Sequence, residues 1–285
     1  MTGAPVAVVT GASRGAGKGI ALALGAIGAT VYVTGRSVSD SDTPLGGSVH
    51  ATAAAVDERG GRGIAIVCDH ADDASVASAF EQVRAEQGRL DILVNNAFSI
   101  PDGLTSSKPF WKKPLQLQVM LDVGLRSTYV SSYFGAPLLV ERGGGLVVNT
   151  SSFGGGCYMH GPAYGAAKAG VDKMAHDMAE DLRPFDVAVI SLWMGMLRTE
   201  RTAPVLDAAA HRYGPLAAVA ESAEYPGRVI AALAASPTRM DYSGQVVVSA
   251  ELGAELGVTD IDGTSPASPR DMLGAPTRFN PAVVR

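Results

Sequence analysis

Val6-Ala7-Val8-Val9 runs straight into Thr10-Gly11-Ala12-Ser13-Arg14-Gly15-Ala16-Gly17, after which Ile20, Leu24 and Ile27 recur at helical spacing. A β-rich run, a glycine turn and an amphipathic stretch in that order describe a strand that reverses sharply into a helix. Glycine has a physical reason to be there. The turn is tight, and its backbone must approach closely enough for the N–H groups of the helix N-terminus to meet a pyrophosphate. Gly11, Ser13, Arg14, Gly15, Ala16 and Gly17 are therefore the first candidate cofactor contacts. Gly17-Lys18 invites comparison with a mononucleotide phosphate loop. Ala12 stands where that loop needs its first glycine and Gly19 where it needs Ser or Thr to hold Mg²⁺, so the comparison fails.

The strand-then-helix rhythm continues along the chain. Thr30–Thr34, Gly63–Cys68, Leu90–Asn95, Gly145–Thr150, Val187–Leu192 and Gln245–Val248 are further short apolar runs. They are continuous rather than alternating, as strands covered on both faces are. The expected fold is α/β: a single Rossmann-type domain over residues 1–262, with a doubly wound parallel sheet of about seven strands and helices on both faces. Leu115–Val140 and Ala163–Arg183 read as apolar helices. Residues 98–114, rich in Pro, Ser and Gly, and residues 198–224 interrupt the rhythm and read as loops that shape or cover a site. The proline-rich tail, 263–285, reads as disordered or as draped over a neighbouring subunit. With 47% hydrophobic and 18% charged residues the chain can build a large core. Its net charge of −5 and its scattered Lys and Arg argue against a nucleic-acid partner. We expect no signal peptide and no membrane span, and a cytoplasmic protein in which Cys68 and Cys157 stay reduced. The five histidines show no ligand spacing, so no metal is expected.

A second pattern lies downstream. Ser151 closes the run Leu146-Val147-Val148-Asn149-Thr150-Ser151, thirteen positions before Tyr164, and Lys168 follows Tyr164 at i+4. On a helix, Tyr164 and Lys168 share a face. An ammonium near a phenol favours the phenolate, which brings a group with an unperturbed pKa of about 10 towards working pH. Such a pair moves protons. Ser151 is the candidate to hold a substrate oxygen.

The glycine turn together with Ser151, Tyr164 and Lys168 resembles the short-chain dehydrogenase/reductase (SDR) family across nearly the whole chain. That resemblance implies an oxidoreductase that moves a hydride between a nicotinamide cofactor and a carbonyl/alcohol pair. Tyr164 would be its acid/base, with Lys168 tuning it and positioning the ribose. The family's NAD-binding members carry an Asp after the second strand; here Gly35 takes that place and Arg36 follows. With Arg14 on the same side, this favours the 2′-phosphate of NADP(H) over NAD(H). By the same resemblance Asp69, with His70 beside it, sits at the adenine. Asn95 and Ala97 belong to the Asn-Asn-Ala-Gly motif, with Phe98 replacing its Gly. Gly195 and Thr199 belong to Pro-Gly-x-x-x-Thr, with Met194 replacing its Pro. The family's usual Asn in the helix before the fifth strand aligns with Gly124, which leaves a fourth catalytic position open. The Val123-Gly124-Leu125-Arg126 run, Ser191-Leu192-Trp193 and Gly257-Val258-Thr259-Asp260-Ile261-Asp262-Gly263 are similar to the subgroup called dehydrogenase/reductase SDR family member 1. Its animal members are described as NADPH-dependent reductases of steroid and xenobiotic carbonyls.

Phe98, Phe153, Cys157, Tyr158 and Trp193 are the expected substrate-pocket residues, and their apolar character points to a hydrophobic ketone or aldehyde. The resemblance also implies a homodimer or homotetramer. The alternatives are an NAD(H)-preferring dehydrogenase and a non-catalytic cofactor-binding sensor or scaffold. The Gly124, Phe98 and Met194 departures favour the scaffold; the intact Ser151, Tyr164 and Lys168 oppose it.

Overall fold

The computed structural model describes residues 3–208 and 210–284. Seven parallel strands form the central sheet: β1 (Val6–Val9), β2 (Thr30–Gly35), β3 (Arg62–Val67), β4 (Ile92–Asn95), β5 (Gly145–Ser152), β6 (Val187–Met194) and β9 (Val246–Val248). Between β6 and β9, β7 (Leu197–Arg198) and β8 (Glu221–Ser222) pair with each other as a separate ribbon. The order across the sheet is β3-β2-β1-β4-β5-β6-β9. The chain thus winds outward from β1 to β3, then crosses back to β4 and winds the other way. Such a reversal opens a crevice at the carboxyl ends of β1 and β4, the place where open α/β sheets bind ligands.

Helices cover both faces. On one, α1 (Gly15–Gly25), α2 (Val49–Glu58) and α8 (Tyr225–Ala235) bury Ile20, Leu24, Val56 and Val229 against Ala7, Val9, Val31 and Val33. On the other, α3 (Asp73–Gln87), α4 (Ser127–Arg142) and α5 (Pro162–Leu182) bury Val76, Phe80, Leu138 and Ala175 against Val6, Val8, Leu93 and Val147. Successive strand residues point to opposite faces, and along the central strands both faces are buried. That is why the strands read as continuous apolar runs.

Two helices are capped by their own N-cap side chains. Ser48 caps α2 by accepting from Ala51 N–H, and Asp72 caps α3 by accepting from Ala74 N–H. At the N-terminus of α1, Arg14 provides no side-chain cap. Its backbone donors face the crevice.

The expected helix over Leu115–Val140 is broken. Leu115–Gln118 is a 3₁₀ turn, Leu121–Arg126 a π-turn, and only then does α4 begin. The break sits at Val123 (φ −104°, ψ 88°) and Gly124 (φ 154°, ψ −63°). The segment 198–224 holds the β7–β8 ribbon with two short helices, α6 (Ala203–Ala208) and α7 (Ala210–Ala218), between them; residue 209 lies outside the described residues. After α9 (Ser249–Glu255) the tail carries α10 (Arg270–Leu273) and lies along its own domain. Arg270 pairs with Glu251, Leu273 packs beside Phe153 and Trp193, and Phe279 lies 5.1 Å from His176.

Candidate active site

The turn after β1 is held by its neighbours in the crevice. Thr10 Oγ1 accepts from Asn96 N–H (2.8 Å) and Ala97 N–H (3.0 Å), and Asn96 Nδ2 donates to the carbonyls of Thr10 (2.9 Å) and Gly11 (3.1 Å). Gly11 and Gly15 take φ of 64° and 59°, and a Cβ on Gly11 would stand 2.6 Å from Ala97 Cα. Glycine is required there for both reasons. Gly15 N–H donates to Glu200 Oε2 at 3.0 Å, so the α1 N-terminus already takes an anion from the protein itself. Beside it a 460 Å³ cleft runs from Gly15 to Lys18, Arg198 and Glu200. A helix start whose N-cap residue leaves its N–H groups free of side-chain capping, a glycine cradle and an N–H that donates to an anion together fit a dinucleotide's phosphates.

Positive charge gathers at the end of β2. Arg14 reaches across to donate to Ser37 Oγ (2.7 Å) and to the carbonyls of Gly46 (2.5 Å) and Gly47 (3.0 Å). Burial lowers its pKa, Glu200 opposes that, and the charge of Arg36 adds to the lowering. Arg36 itself is exposed and lies 4.0 Å from Asp69. His70, expected at the adenine, turns its side chain inward instead: Nε2 bonds Thr34 Oγ1 at 2.8 Å, and burial pulls its pKa down to about 4. The Asn95 side chain is also structural. Its Nδ2 donates to Ser132 and Asn149, both at 2.8 Å, tying β4 to α4 and β5. Asn96, between two expected contacts, is the residue that pins the glycine turn.

At the chemical end the hydroxyl beside Tyr164 comes from Ser152, one position after the expected Ser151. Ser151 is fully buried, and its Oγ donates to the Lys168 carbonyl at 3.4 Å. Ser152 faces the other way. Its Oγ is 2.8 Å from the Tyr164 hydroxyl. Both tyrosine and lysine come from α5, which the Gly161-Pro162 pair starts beside the crevice. Lys168 Nζ is buried and donates to the Thr150 carbonyl at 3.1 Å. Burial lowers its pKa to about 8 while Asp172 pulls the other way. Burial pushes the Tyr164 phenol up, and the Ser152 hydroxyl opposes this.

The expected pocket residues separate into three groups. Phe98 and Cys157 line the space around Tyr164 and the loop over it: Phe98 meets Tyr164 edge-on at 5.7 Å, and Cys157 is half-buried in the segment between β5 and α5. Phe153 and Trp193 are fully buried, with ring centroids 5.0 Å apart, and form the wall behind that loop rather than a surface a substrate can touch. Trp193 Nε1 and Ser191 Oγ donate to the buried Asp172 carboxyl group at 2.9 and 2.6 Å, which fixes the wall to α5. Tyr158 is 82% exposed and points to solvent. Met159 packs behind, and His160 stacks edge-on against Tyr164 at 5.1 Å. Leu104, Leu117 and Met120 complete the apolar cluster around Phe98 and Tyr164.

The segment after β6 closes the site. Gly195 N–H donates to Glu221 Oε1 at 3.4 Å, and the Thr199 hydroxyl lies 3.0 Å from that of Thr202. Sequence reasoning missed Glu221: it sits in a two-residue strand that carries no pattern.

Residues 5–210 match the family model described as short chain dehydrogenase. The chain belongs to the short-chain dehydrogenase family. Members are oxidoreductases that use a nicotinamide cofactor, NAD(P)(H), on small molecules. This short-chain dehydrogenase is 41% identical over 269 residues to Dehydrogenase/reductase SDR family member 1 of Mus musculus, spanning 90% of the chain and 83% of the relative. It is 39% identical to the Homo sapiens protein of that name over the same spans. Hydroxysteroid dehydrogenase-like protein 2 of Danio rerio is 30% identical over 257 residues, 89% of this chain but 59% of that one. Among solved structures, a short chain dehydrogenase from Mycobacterium thermoresistibile superposes with a TM-score of 0.74 at 26% identity, covering 90% of this chain and 89% of the other. A short-chain type dehydrogenase/reductase from Mycobacterium marinum gives 0.71 at 27%, covering 86% and 93%.

Proposed function

We propose that the chain is an NADP(H)-dependent oxidoreductase that interconverts a carbonyl and an alcohol on a hydrophobic ketone or aldehyde. The observation that carries this reading is the 2.8 Å contact of the Tyr164 hydroxyl with Ser152, with Lys168 one helical turn further on. A carbonyl oxygen accepting from both hydroxyls would sit between two donors. A nicotinamide cofactor with its pyrophosphate on the glycine cradle would supply the hydride in reduction and take it up in oxidation. Tyr164 gives its proton to the carbonyl oxygen as the carbon gains the hydride, and Ser152 steadies that oxygen. Burial keeps the phenol protonated near neutral pH, as a proton donor needs. The Lys168 ammonium opposes the charge left on the phenolate.

Gly11, Gly15, Ala16 and Gly17 would carry the pyrophosphate, with Ser13 beside them, and Gly195 and Thr199 the nicotinamide side. Asp69 and Ala97 would flank the adenosine. Arg14, Arg36 and Ser37 fit a 2′-phosphate, and Gly35 leaves no carboxylate to repel it. The apolar cluster of Phe98, Leu104, Leu117 and Met120 supports a hydrophobic substrate. So does the hydroxysteroid dehydrogenase-like name of one relative. The reading extends to a homodimer or homotetramer, for which α4 offers the exposed Tyr129 and Tyr133, and to the cytoplasm, where the free Cys68 and Cys157 would stay reduced. Among the described residues no helix is long and apolar enough to cross a membrane.

Titrating the protein with NADPH and with NADH, and repeating both with Arg36→Ala, tests the cofactor assignment. NADPH binds more tightly in the wild type, and the variant loses about tenfold of that preference, the share of one charge-assisted phosphate contact. Equal affinities, unchanged by the substitution, would establish NAD(H) preference instead.

A further inference from the structure

Lys168 is an ammonium placed where water does not reach, and the protein must keep it charged by other means. The Thr150 carbonyl accepts a hydrogen bond from Nζ at 3.1 Å. The face of Phe98 covers it on another side, with Nζ 4.2 Å from the ring centroid. An aromatic face carries negative charge density, and its attraction for a cation grows as the pair is desolvated. The same ring meets Tyr164 edge-on at 5.7 Å, so it touches both partners of the proton-transfer pair.

The chain makes room for that ring at some cost to regular structure. A Cβ on Gly124 would stand 2.6 Å from Phe98 Cδ2 and Cε2, and the φ of 154° at Gly124 is one that L side chains rarely adopt. The π-turn places Gly124 there. Ser99 N–H fastens the Phe98 loop to the Val123 carbonyl at 2.9 Å, and Thr128 Oγ1 donates to the Gly124 carbonyl at 2.6 Å. The broken helix and the Phe98 position are thus one arrangement.

We propose that Phe98 is a positioning residue of the reaction: its ring face holds Lys168 in the charged form beside Tyr164, and Gly124 is glycine so that the ring can stand there. The proposal rests on the oxidoreductase reading above. Among titratable and charged groups, α5 itself presents Tyr164 and Asp172. The segment before α5 presents Cys157 and His160, whose carbonyl is held by Lys113. The π-turn carries Asp122 and Arg126, both exposed, Arg126 paired with Asp73. β5 offers only uncharged groups, the Thr150 carbonyl and the Ser151 hydroxyl. Of these groups, Asp172 is the one whose charge bears on Lys168. Phe98 and the Thr150 carbonyl are the contacts that act on the ammonium at close range without titrating, and Phe98 alone of the two also touches Tyr164.

Replacing Phe98 by mono-, di- and trifluorophenylalanine keeps the ring's shape and drains its face of negative charge in steps. The Lys168 midpoint is read by NMR of ε-¹³C-lysine, with the resonance assigned through Lys168→Met. Each fluorine lowers the midpoint, by about one pH unit in all for the trifluoro ring. The alkaline limb of the reductive kcat profile moves down with it, while the circular dichroism spectrum stays that of the wild type. Phe98→Leu, apolar but without a ring face, gives the same loss. A midpoint that fluorination leaves in place, in a folded and active enzyme, would overturn the proposal and leave the functional reading standing. A midpoint that moves in a protein turning over no carbonyl substrate would instead overturn the functional reading and leave the Phe98–Lys168 contact intact.

Discussion

Ser151 and Ser152 are adjacent on β5 and meet different partners. A strand turns successive side chains in opposite directions, so the two hydroxyls meet different partners on α5. Ser152 is the one beside Tyr164, and Ser151 lies against the Lys168 carbonyl in the interior. Ser152→Ala should therefore lower reductive kcat about a hundredfold, as loss of one donor to a developing oxyanion does. Ser151→Ala should leave kcat nearly unchanged and lower stability by about 1–2 kcal/mol, the effect of removing a buried hydroxyl from its partners. Measuring kcat and urea unfolding for both variants checks this, and the reverse pattern would restore Ser151 to the site. The sequence spacing pointed to Ser151, whereas Ser152 is the one whose hydroxyl meets Tyr164, because a count along the chain carries no facing and a shift of one residue on a strand changes sides. Tyr164 and Lys168 were legible for the complementary reason: i and i+4 share a face on any helix. The glycines of the cradle were legible too, since the need for a positive φ or a close approach is local. His70 and Asn95 were not, because their side chains answer to partners far along the chain, Thr34 and Asn149.

The element that closes the site, from Gly195 to Ser222, is built around a buried carboxyl group. Glu221 in β8 is fully buried, its Oε1 accepts from Gly195 N–H, and its Oε2 has no hydrogen-bond partner among the described residues. Burial pushes its pKa up to about 8. In the unfolded chain such a group titrates near its ordinary value of about 4.3. Between those two values the native state holds a proton that the unfolded state has released. Stability from this group is therefore complete at acid pH and declines as pH rises towards 8. Glu221→Gln removes the titration. Melting temperatures of wild type and variant, followed from pH 5 to pH 9, should diverge in the variant's favour as pH rises; parallel curves would contradict the assignment. None of this was readable beforehand, since a two-residue strand has no periodicity to detect. The helix expected over Leu115–Val140 failed for another reason: its apolar spacing is helical, but the Phe98 ring from a distant loop claims the space at Gly124.

At the scale of the molecule, a parallel sheet with two covered faces decides where chemistry can occur. All seven of its strands were legible as apolar runs, because burial on both sides leaves no polar alternation to confuse them. Their order, reversing at β1 and β4, then brings a glycine turn near the N-terminus and a Tyr-Lys pair some 150 residues later to one crevice. The course of the tail was not legible. Its anchors, Arg270, Leu273 and Phe279, are single residues without period, and they hold it to Glu251, to the Trp193 wall and to His176. The central claim is that this crevice reduces carbonyls with NADPH through Tyr164. The most direct test follows NADPH absorbance with a panel of apolar ketones, quinones and aldehydes, for the wild type and for Tyr164→Phe, with NADH run alongside. The account predicts turnover with NADPH that falls at least a thousandfold in the variant, about 4 kcal/mol of transition-state stabilisation, with cofactor binding retained. Tight NADPH binding without turnover of any substrate, or turnover that Tyr164→Phe leaves intact, would contradict it.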